Sequence, residues 1–265
     1  MDIFEEIVAA KKSQLPVVLA TVIESLGSAP RGEGARMLVR PYGSIAGTVG
    51  GGAIEQLVIK EALAMMQGGT PKVIRHELKD IGMQCGGGMA VFLEPLVPAP
   101  QLVIFGAGHI GACLAQIGKM LDFTVTVVDN RPDFANAERL PWADRIIAEE
   151  YESAIQKVRF SDQSYVVILT HKHAHDAEVL EQCITQPACY RDMIGSKAKV
   201  AKVFEQLKNK GVSDEVIKTI HSPIGLKIGA NTPAEIAISI LAEIVQVRSS
   251  VNAAARQSPC CNPRI

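Results

Sequence analysis

A glycine-spaced turn in the middle of the chain constrains its fold more than any other feature. The run Gly106-Ala-Gly-His-Ile-Gly111 directly follows an apolar, β-branched stretch at residues 102–105. Glycines at this spacing suit a tight connection from a strand into a helix whose first amides can meet an anion. A second strand candidate, residues 124–128, ends at Asp129, near the spacing at which an acid meets a ribose hydroxyl in dinucleotide-binding folds. The pattern predicts a Rossmann-type fold and leaves open whether a dinucleotide is still bound.

Strand and helix candidates alternate through this half of the chain, which indicates a parallel sheet covered on both faces. The strand candidates are residues 102–105, 125–128, 145–148, 165–169 and 192–194. The last helix has a clear start, because Thr232 can cap it, Pro233 suits its first position and Glu235 completes a capping box. We predict an apolar helical body over residues 236–247 and a disordered tail over residues 251–265, where the sequence turns polar and small.

Proline and glycine divide the chain into two parts. The segment 94–100 carries three prolines, which end regular structure and stiffen a linker. Residues 1–100 hold 14 of the 22 glycines, so loops of bare backbone are concentrated in the first part. We predict a smaller glycine-rich mixed α/β domain over residues 1–97 and a Rossmann-like domain over residues 101–250. Within the first domain we predict helices over 2–12 and 54–66, and strands over 17–23, 35–40, 44–49, 72–78 and 89–93.

Three glycine-rich loops are the candidates for chemistry in the first part. Gly27-Ser-Ala-Pro-Arg31 opens a turn-rich loop, Gly50-Gly51-Gly52 precedes a helix with Glu55 in its first turn, and Cys85-Gly86-Gly87-Gly88 follows later. A thiol beside three residues without side chains can be a soft ligand or a nucleophile on accessible backbone. The alternative is an inert cysteine, because free cysteines often behave as small buried hydrophobes.

Loops of the second part follow predicted strands, at the sheet edge where ligands bind in such folds. His171, His173 and His175 alternate ahead of Asp176; they could ligate a metal, although we favour polar residues at a helix start. Ser196 and Lys197 could hold a phosphate, or the serine could cap a helix with the lysine in solvent. A long glycine-punctuated loop at residues 221–231 is also a functional candidate, because long ordered loops in compact domains are usually functional.

Composition excludes several classes of function. The formal net charge is −1, with 27 Lys and Arg against 28 Asp and Glu, and no basic block indicates a nucleic-acid or polybasic membrane partner. No apolar run approaches the roughly 20 residues that span a bilayer, and the acidic start is unlike a signal peptide. We therefore expect a cytoplasmic protein with reduced cysteines and no structural zinc site. A symmetric homodimer is the default expectation for an oligomer.

These motifs, in this order, resemble those of the XdhC/CoxI family, the xanthine dehydrogenase accessory proteins. The resemblance extends from about residue 3 to residue 248. The stretches that carry it are Gly27-Ser-Ala-Pro-Arg31, Gly50-Gly-Gly-Ala-Ile-Glu55, Gln84-Cys-Gly-Gly-Gly88, Gly106-Ala-Gly-His-Ile-Gly111, Thr170-His171 with Asp176, Ile194-Gly-Ser-Lys197, and residues 222–230 with 232–236.

The resemblance implies a molybdenum-cofactor chaperone. Such a protein holds the molybdopterin cofactor during sulfuration of the metal, with a cysteine desulfurase as partner, and passes it to an apo molybdenum hydroxylase of the xanthine dehydrogenase type. Cys85 is then the candidate metal-side or sulfur-handling residue. Two departures from the family pattern are Lys227, where we expect Asp, and Ala53, at a position that can be Cys in relatives.

The cofactor is predicted to meet residues from both parts of the chain, and NAD(P) or another nucleotide stays open as a ligand of the Rossmann part. The candidate binding residues are Arg31, Gly50, Gly51, Gly52, Glu55, Cys85, Gly86, Gly87, Gly106, Gly108, His109, Gly111, Asp129, His171, Asp176, Ser196 and Lys197. Two other functions stay open. One is an NAD(P)-dependent oxidoreductase with His109, His171 or His173 as proton donor, and the other is a nucleotide-sensing module that binds a partner enzyme.

Overall fold

Two compact units make up the chain. The computed structural model describes residues 2–66, 69–81, 87–173 and 175–256. The first unit comprises Met1–Pro98 together with the chain end from Ser250, and the second comprises Ala99–Ser249. No helix in the described part of the chain combines the length and the apolar character needed to cross a bilayer.

The first unit is a five-stranded antiparallel sheet in the order β3-β2-β1-β5-β4. Its helices and strands are α1 (Ile3–Lys12), β1 (Val17–Leu26), β2 (Arg36–Val39), β3 (Ile45–Gly47), α2 (Gly52–Met65), β4 (Lys72–Glu77) and β5 (Gly88–Leu96). A 3-10 turn at Pro41–Gly43 joins the antiparallel β2 and β3. Asp2 caps α1 with a full capping box, so that helix starts where its sequence supplies a cap.

Apolar alternation decides which face of the first sheet is buried. Alternate strand residues such as Val18, Ala20 and Val22 pack with the apolar stripe of α2, which includes Ile54 and Val58. A smaller cluster from α1, β1 and β2 covers part of the opposite face.

The second unit is a parallel sheet in the order β10-β9-β6-β7-β8, which confirms the predicted Rossmann-type class. Its elements are β6 (Gln101–Phe105), α3 (His109–Met120), β7 (Thr124–Val128), β8 (Arg145–Ile147), α4 (Tyr151–Ile155), β9 (Ser164–Ile168), α5 (Asp176–Cys183), β10 (Tyr190–Met193), α6 (Lys197–Asn209), α7 (Asp214–Ile217) and α8 (Pro233–Arg256). The strand order reverses between β6 and β9, and ligands of such sheets bind outside the carboxyl ends of the strands at this switch point.

Both faces of the second sheet are buried, as the continuous apolar strands predict. Val103, Phe105 and Ile168 face a cluster that includes α4, α5 and α6. Leu102 and Ile104 face α3 and α8. The rigid double-sided core fixes the loops at the carboxyl edge.

Helix α8 continues to Arg256, past the predicted helical body at residues 236–247, and the run Ala253-Ala254-Ala255 near its end is made of the strongest helix former. The predicted disordered tail over residues 251–265 stays a prediction. The predicted capping box at the start of α8 is confirmed, since the Glu235 carboxylate accepts the Thr232 amide at 2.9 Å and Thr232 Oγ1 accepts the Glu235 amide at 3.3 Å. Residues 257–265 lie outside the described residues.

Candidate functional site

The glycine turn after β6 is held between the two neighbouring strands. The Gly106 amide donates to the Val128 carbonyl at 2.8 Å, and the Leu169 amide donates to the Phe105 carbonyl at 2.8 Å. A methyl group on Gly106 would strike the Leu169 carbonyl, so only glycine allows the chain from β6 to pass this close to the loop after β9. Helix α3 then begins at His109 with Gly108 as an N-cap that lacks a side chain to satisfy the first amides.

Asp129 lies beneath this turn with both carboxylate oxygens occupied. It is fully buried, and its oxygens accept the Ala107 amide at 2.7 Å and the Arg131 amide at 3.0 Å. The Arg131 guanidinium adds two parallel bonds of 2.8 Å, from Nε and Nη2. Burial by itself would raise the pKa of Asp129, but the bonds from Arg131 and from the Ala107 amide outweigh it and lower that pKa.

This geometry bears on the predicted contact of Asp129 with a ribose hydroxyl, which stays a prediction. A carboxylate offers about four lone-pair sites, and protein donors fill four of them here. The structure therefore leaves Asp129 no free position for a ribose hydroxyl. Sequence spacing located the acid at the strand end, but it did not show that Arg131, two residues later, folds back over it.

Arg131 is the residue that sequence reasoning missed. Its guanidinium lies 4.0 Å from the centre of the Phe134 ring, and its side chain keeps 25% exposure. Arg139 also lies over that ring, at 4.6 Å. The signal available in the sequence was an arginine two residues after a strand-end acid, because a short Asp-x-Arg segment lets the two side chains pair.

A cavity of about 450 Å³ opens at the switch point of the second sheet. Its lining comes from the loops after β6, β7, β9 and β10 and from the start of α8: Gly108, His109, Ile110, Arg131, Phe134, Leu169, Thr170, His171, Ile194 and Pro233. This volume falls in the range of small-molecule sites. Of the predicted residues, Gly108, His109 and His171 line it, while Gly106 and Gly111 shape the turn behind it. A cavity of about 520 Å³ lies apart from these loops, between α5 and α6.

The loop after β9 is fixed by a buried acid. Asp176 has no exposed surface, and its carboxylate accepts the Thr170 amide at 2.9 Å, the Thr170 hydroxyl at 2.6 Å and Lys199 Nζ at 2.5 Å. The ion pair ties this loop to α6. The structure thus gives Asp176 a role in holding the loop, and His171 remains exposed at the cavity.

The loop after β10 ends in a capped helix start, and a phosphate contact of Ser196 and Lys197 stays a prediction. Ser196 is the N-cap of α6, and its side chain accepts the Lys199 amide at 3.3 Å. Lys197 is exposed. Neither residue lines the cavity at the switch point.

The buried Asp192 and the half-buried Glu243 anchor the long loop at residues 221–231. The Tyr190 hydroxyl lies 2.9 Å from Asp192 Oδ2 and 2.7 Å from Glu243 Oε2, which also accepts the Gly225 amide at 2.9 Å. Burial raises the pKa of Asp192 to about 8, against the lowering effect of the Tyr190 and Met193 hydrogen bonds. One phenol proton cannot serve two carboxylates fully, so a protonated Asp192 completes the network.

The three glycine-rich loops of the first unit converge at one end of its sheet. A methyl group on Gly87 would strike the Leu26 carbonyl, and the Gly87 Cα lies 3.4 Å from the Cβ position of Gly27. Gly50 packs against Pro30, whose Cγ lies 2.5 Å from the Cβ position of Gly50. The three loops are therefore one packed cluster, here called the glycine cluster, rather than separate flexible turns.

Models of two protein families match this chain. The model described as the XdhC Rossmann domain matches residues 102–244, and the model described as the XdhC and CoxI family matches residues 10–77. The chain belongs to the XdhC/CoxI family. Cys85 falls between the two matched segments.

The chain is similar to two curated relatives that are longer than the chain itself. The chain is 38% identical to the uncharacterized protein YqeB of Escherichia coli (strain K12) over 256 residues, which are 94% of this chain and 47% of YqeB. It is 32% identical to a probable xanthine dehydrogenase subunit of Bacillus subtilis (strain 168) over 161 residues, 61% of this chain and 47% of that protein. The chain thus spans about half the length of these two relatives.

Two further similarities cover nearly the whole chain. The chain is 27% identical to the molybdenum cofactor insertion chaperone PaoD of Escherichia coli (strain K12) over 274 residues, 91% of this chain and 86% of PaoD. A crystal structure described as a xanthine dehydrogenase from Bacillus halodurans has a TM-score of 0.54 over 98% of this chain and 99% of its own. Its 24% identity supports a shared fold alone.

The remaining predicted residues of the family pattern occupy different surroundings. Arg31 is exposed, and its backbone carbonyl accepts the Ser25 hydroxyl at 3.4 Å. Glu55 accepts the Thr48 hydroxyl, whose oxygen accepts the Gly50 amide at 3.1 Å. Gly51 and Gly52, with φ angles of 77° and 62°, complete that turn. Cys85 and Gly86 lie outside the described residues.

The two departures from the family pattern lie in different units of the chain. Lys227 is exposed in the loop before α8, and Ala53 is half-buried in the first turn of α2. Over residues 2–66, 69–81, 87–173 and 175–256, no three His, Cys, Asp or Glu side chains gather as a metal site. Metal binding by Cys85 stays a prediction.

Proposed function

We propose that this chain binds the molybdenum cofactor as cargo and delivers it to a molybdenum hydroxylase of the xanthine dehydrogenase type. One observation carries the proposal: similarity to a protein named molybdenum cofactor insertion chaperone extends over 91% of this chain and 86% of that protein. The similarity therefore includes both units and their loops. The relative named as a probable xanthine dehydrogenase subunit supports the class of client enzyme.

The glycine cluster supports this proposal chemically. A pterin presents a flat edge of hydrogen-bond donors and acceptors, and backbone amides and carbonyls in glycine loops can approach such an edge closely. The packing of Gly87 on Leu26 and of Gly50 on Pro30 holds these loops in one arrangement, which lowers the entropy lost on binding. Arg31 adds an exposed cation beside them.

Cys85 is proposed as the soft ligand to the cargo metal. It lies two positions before Gly87 in the sequence, and thiolates suit a metal already bound by sulfur. We further propose that the chain holds the cofactor while a cysteine desulfurase supplies sulfur to the metal. In this function the chain is a carrier and turns over no substrate of its own.

The direct test is to measure the molybdenum and the pterin that remain bound to the purified chain. After expression in a host that makes the cofactor, we expect molybdenum and pterin to co-purify and the loaded chain to activate an apo hydroxylase. Cys85→Ala should lower the retained molybdenum at least about tenfold, because the soft ligand is lost. Cys113→Ala, at a half-buried cysteine of α3 in the second unit, is the matched control and should retain it.

Two outcomes separate this function from the alternatives. Absence of pterin from the wild-type chain under cofactor-replete expression would remove the carrier function. Rapid NAD(P)H oxidation that Cys85→Ala leaves unchanged would instead favour an oxidoreductase. The saturated carboxylate of Asp129 argues against that alternative, because the predicted ribose acceptor is occupied. The cavity at the switch point keeps nucleotide sensing as the second candidate.

A further inference from the structure

The charge that lines the cavity at the switch point is that of Arg131, whose guanidinium is paired on one edge with the buried Asp129. Of its described lining residues, Arg131 is the one with a permanent charge, and none is a carboxylate. The exposed His109 and His171 can each add a donor. A ligand in this cavity therefore meets a cation and imidazoles, with the rest of the surface apolar or backbone.

Arg131 lines the cavity and has N–H groups that the hydrogen bonds described for it do not use. Its Nε and one Nη2 hydrogen bind Asp129 at 2.8 Å, which uses two of the five N–H groups of a guanidinium. The protein bonds described for Arg131 leave its Nη1 group unused. The carboxylate on one edge and the Phe134 ring at 4.0 Å fix the plane of the guanidinium, so little side-chain entropy is lost when a ligand binds.

In an ordinary dinucleotide site the acid at this position accepts a ribose hydroxyl. Here the acid is buried, so the site favours a phosphate over a ribose hydroxyl. Asp129 has no exposed surface and accepts four protein hydrogen bonds. A bare ribose diol would find no acid here, whereas a phosphate would find charge-assisted donors from Arg131. A phosphate monoester carries about −1.5 to −2 charge at pH 7, which suits a cavity with no acidic lining.

We propose that Arg131 is a specificity-determining residue that makes this cavity select ligands carrying a phosphate monoester. The shared chemistry fits two sources, a phosphorylated pterin and a nucleotide. The inference concerns the ligand of the cavity and is independent of the proposed carrier function. Arg131 contacts the phosphate, and Phe134 and Asp129 hold its guanidinium in place.

The test uses pairs of compounds that differ by one phosphate monoester. The full-length chain is titrated with NADP⁺ and NAD⁺, with AMP and adenosine, and with the oxidised pterin released from a molybdenum enzyme before and after phosphatase treatment. We expect the phosphorylated member of at least one pair to bind about tenfold or more tightly, the effect of one or two charge-assisted hydrogen bonds. The pterin pair and the nucleotide pairs then identify the source.

Variants assign the preference to one side chain. Replacing Arg131 alone would leave the buried Asp129 carboxylate without its paired cation. The double variant Asp129→Asn with Arg131→Gln therefore removes both charges together. It should bring the affinity ratio of each pair close to one. Arg139→Gln is the matched control, because Arg139 lies over the same ring at 4.6 Å but does not line the cavity; it should keep the wild-type ratio.

A measurement on the wild-type chain covers the case in which the double variant does not fold. Arginine-directed modification with phenylglyoxal, read by peptide mass spectrometry, should slow at Arg131 at least about fivefold with the phosphorylated compound and not with its partner. Modification of Arg139 should not change. Equal affinities within every pair, or modification of Arg131 unaffected by any phosphorylated compound, would overturn the inference.

The outcomes also keep this inference distinct from the carrier function. Phosphate preference with nucleotides but not with the pterin supports the inference and assigns the cavity to a nucleotide. Co-purified pterin without any phosphate preference supports the carrier function and overturns the inference.

Discussion

The loops of the first unit are shaped by close backbone packing, whereas those of the second are held by buried polar and charged groups. In the first, Gly87 and Gly50 touch the neighbouring loop where a side chain would not fit. In the second, Asp129, Asp176 and Asp192 are fully buried with partners. Every buried polar or charged side chain in the described part of the chain belongs to the second unit.

The two units therefore offer a ligand different chemistry. Glycine loops present amides and carbonyls at short range, so they suit a flat group with hydrogen-bond donors and acceptors along its edge. The second unit uses its acids for positioning and presents Arg131 to its cavity, so it suits an anion.

Adding one methyl group should damage the first unit most where its loops touch. Gly87→Ala places a Cβ on the Leu26 carbonyl, and overpacking against backbone should lower the free energy of unfolding by about 3 kcal/mol. Gly32→Ala is the control, because its Cβ would meet open space and its φ lies outside the left-handed region, so it should cost less than about 0.5 kcal/mol. Urea unfolding of both variants measures the difference, and equal losses would contradict a packed cluster.

Removing one cation should damage the second unit most where an acid is buried. Lys199→Met leaves Asp176 without its 2.5 Å ion pair, and the buried carboxylate should cost about 2 kcal/mol of stability, after allowance for the partial exposure of the lysine. The neighbouring Lys197→Met changes an exposed lysine of the same helix and should cost less than about 0.5 kcal/mol. Thermal unfolding compares them; similar melting temperatures would show that the ion pair does not hold the loop.

Asp192 should make the stability of the second unit fall as the pH rises. Its folded pKa of about 8 lies above the ordinary value of 3.8, so the folded state binds the extra proton and stability falls as pH rises from about 4 to 8. Asp192→Asn should flatten that slope and gain at least about 1 kcal/mol relative to wild type at pH 8. The exposed Asp133→Asn is the control. Unfolding curves from pH 5 to 9 that keep the wild-type slope would contradict a proton held on Asp192.

The smallest expected loss of stability is that of Ser196→Ala, and it tests whether Ser196 is a helix cap or a ligand contact. Ser196→Ala should cost about 0.5 to 1 kcal/mol, the loss of an N-cap, and leave cofactor retention and nucleotide affinity unchanged. Ser213→Ala removes a comparable cap, which accepts the Val216 amide at 3.4 Å, and should show a similar loss. A fall in affinity for a phosphorylated ligand with no loss of stability in Ser196→Ala would return Ser196 to the binding site.

Sequence patterns located most elements within a few residues. The predicted strand at residues 165–169 is β9 (Ser164–Ile168), and the predicted strand at 102–105 is β6 (Gln101–Phe105), because apolar β-branched runs and glycine boundaries are local signals. Helix α8 runs past the predicted body at residues 236–247, since the small residues that suggest a tail are also good helix formers. The N-cap at Ser196 could be proposed but not chosen over a phosphate contact, because both uses place a serine at a helix start.

Residue patterns were sufficient to predict the fold class, the glycine turn after β6, the capping box at Glu235 and the membership in the XdhC/CoxI family. Each of these depends on residues near one another in the chain or on motif order. The three-dimensional fold was needed to show that Asp129 accepts hydrogen bonds from Arg131 and the Ala107 amide, that Asp176 pairs with Lys199, and that Gly27, Gly50 and Gly87 belong to one cluster. Side-chain direction and long-range packing set those contacts, and the spacing of residue types along a chain does not specify them.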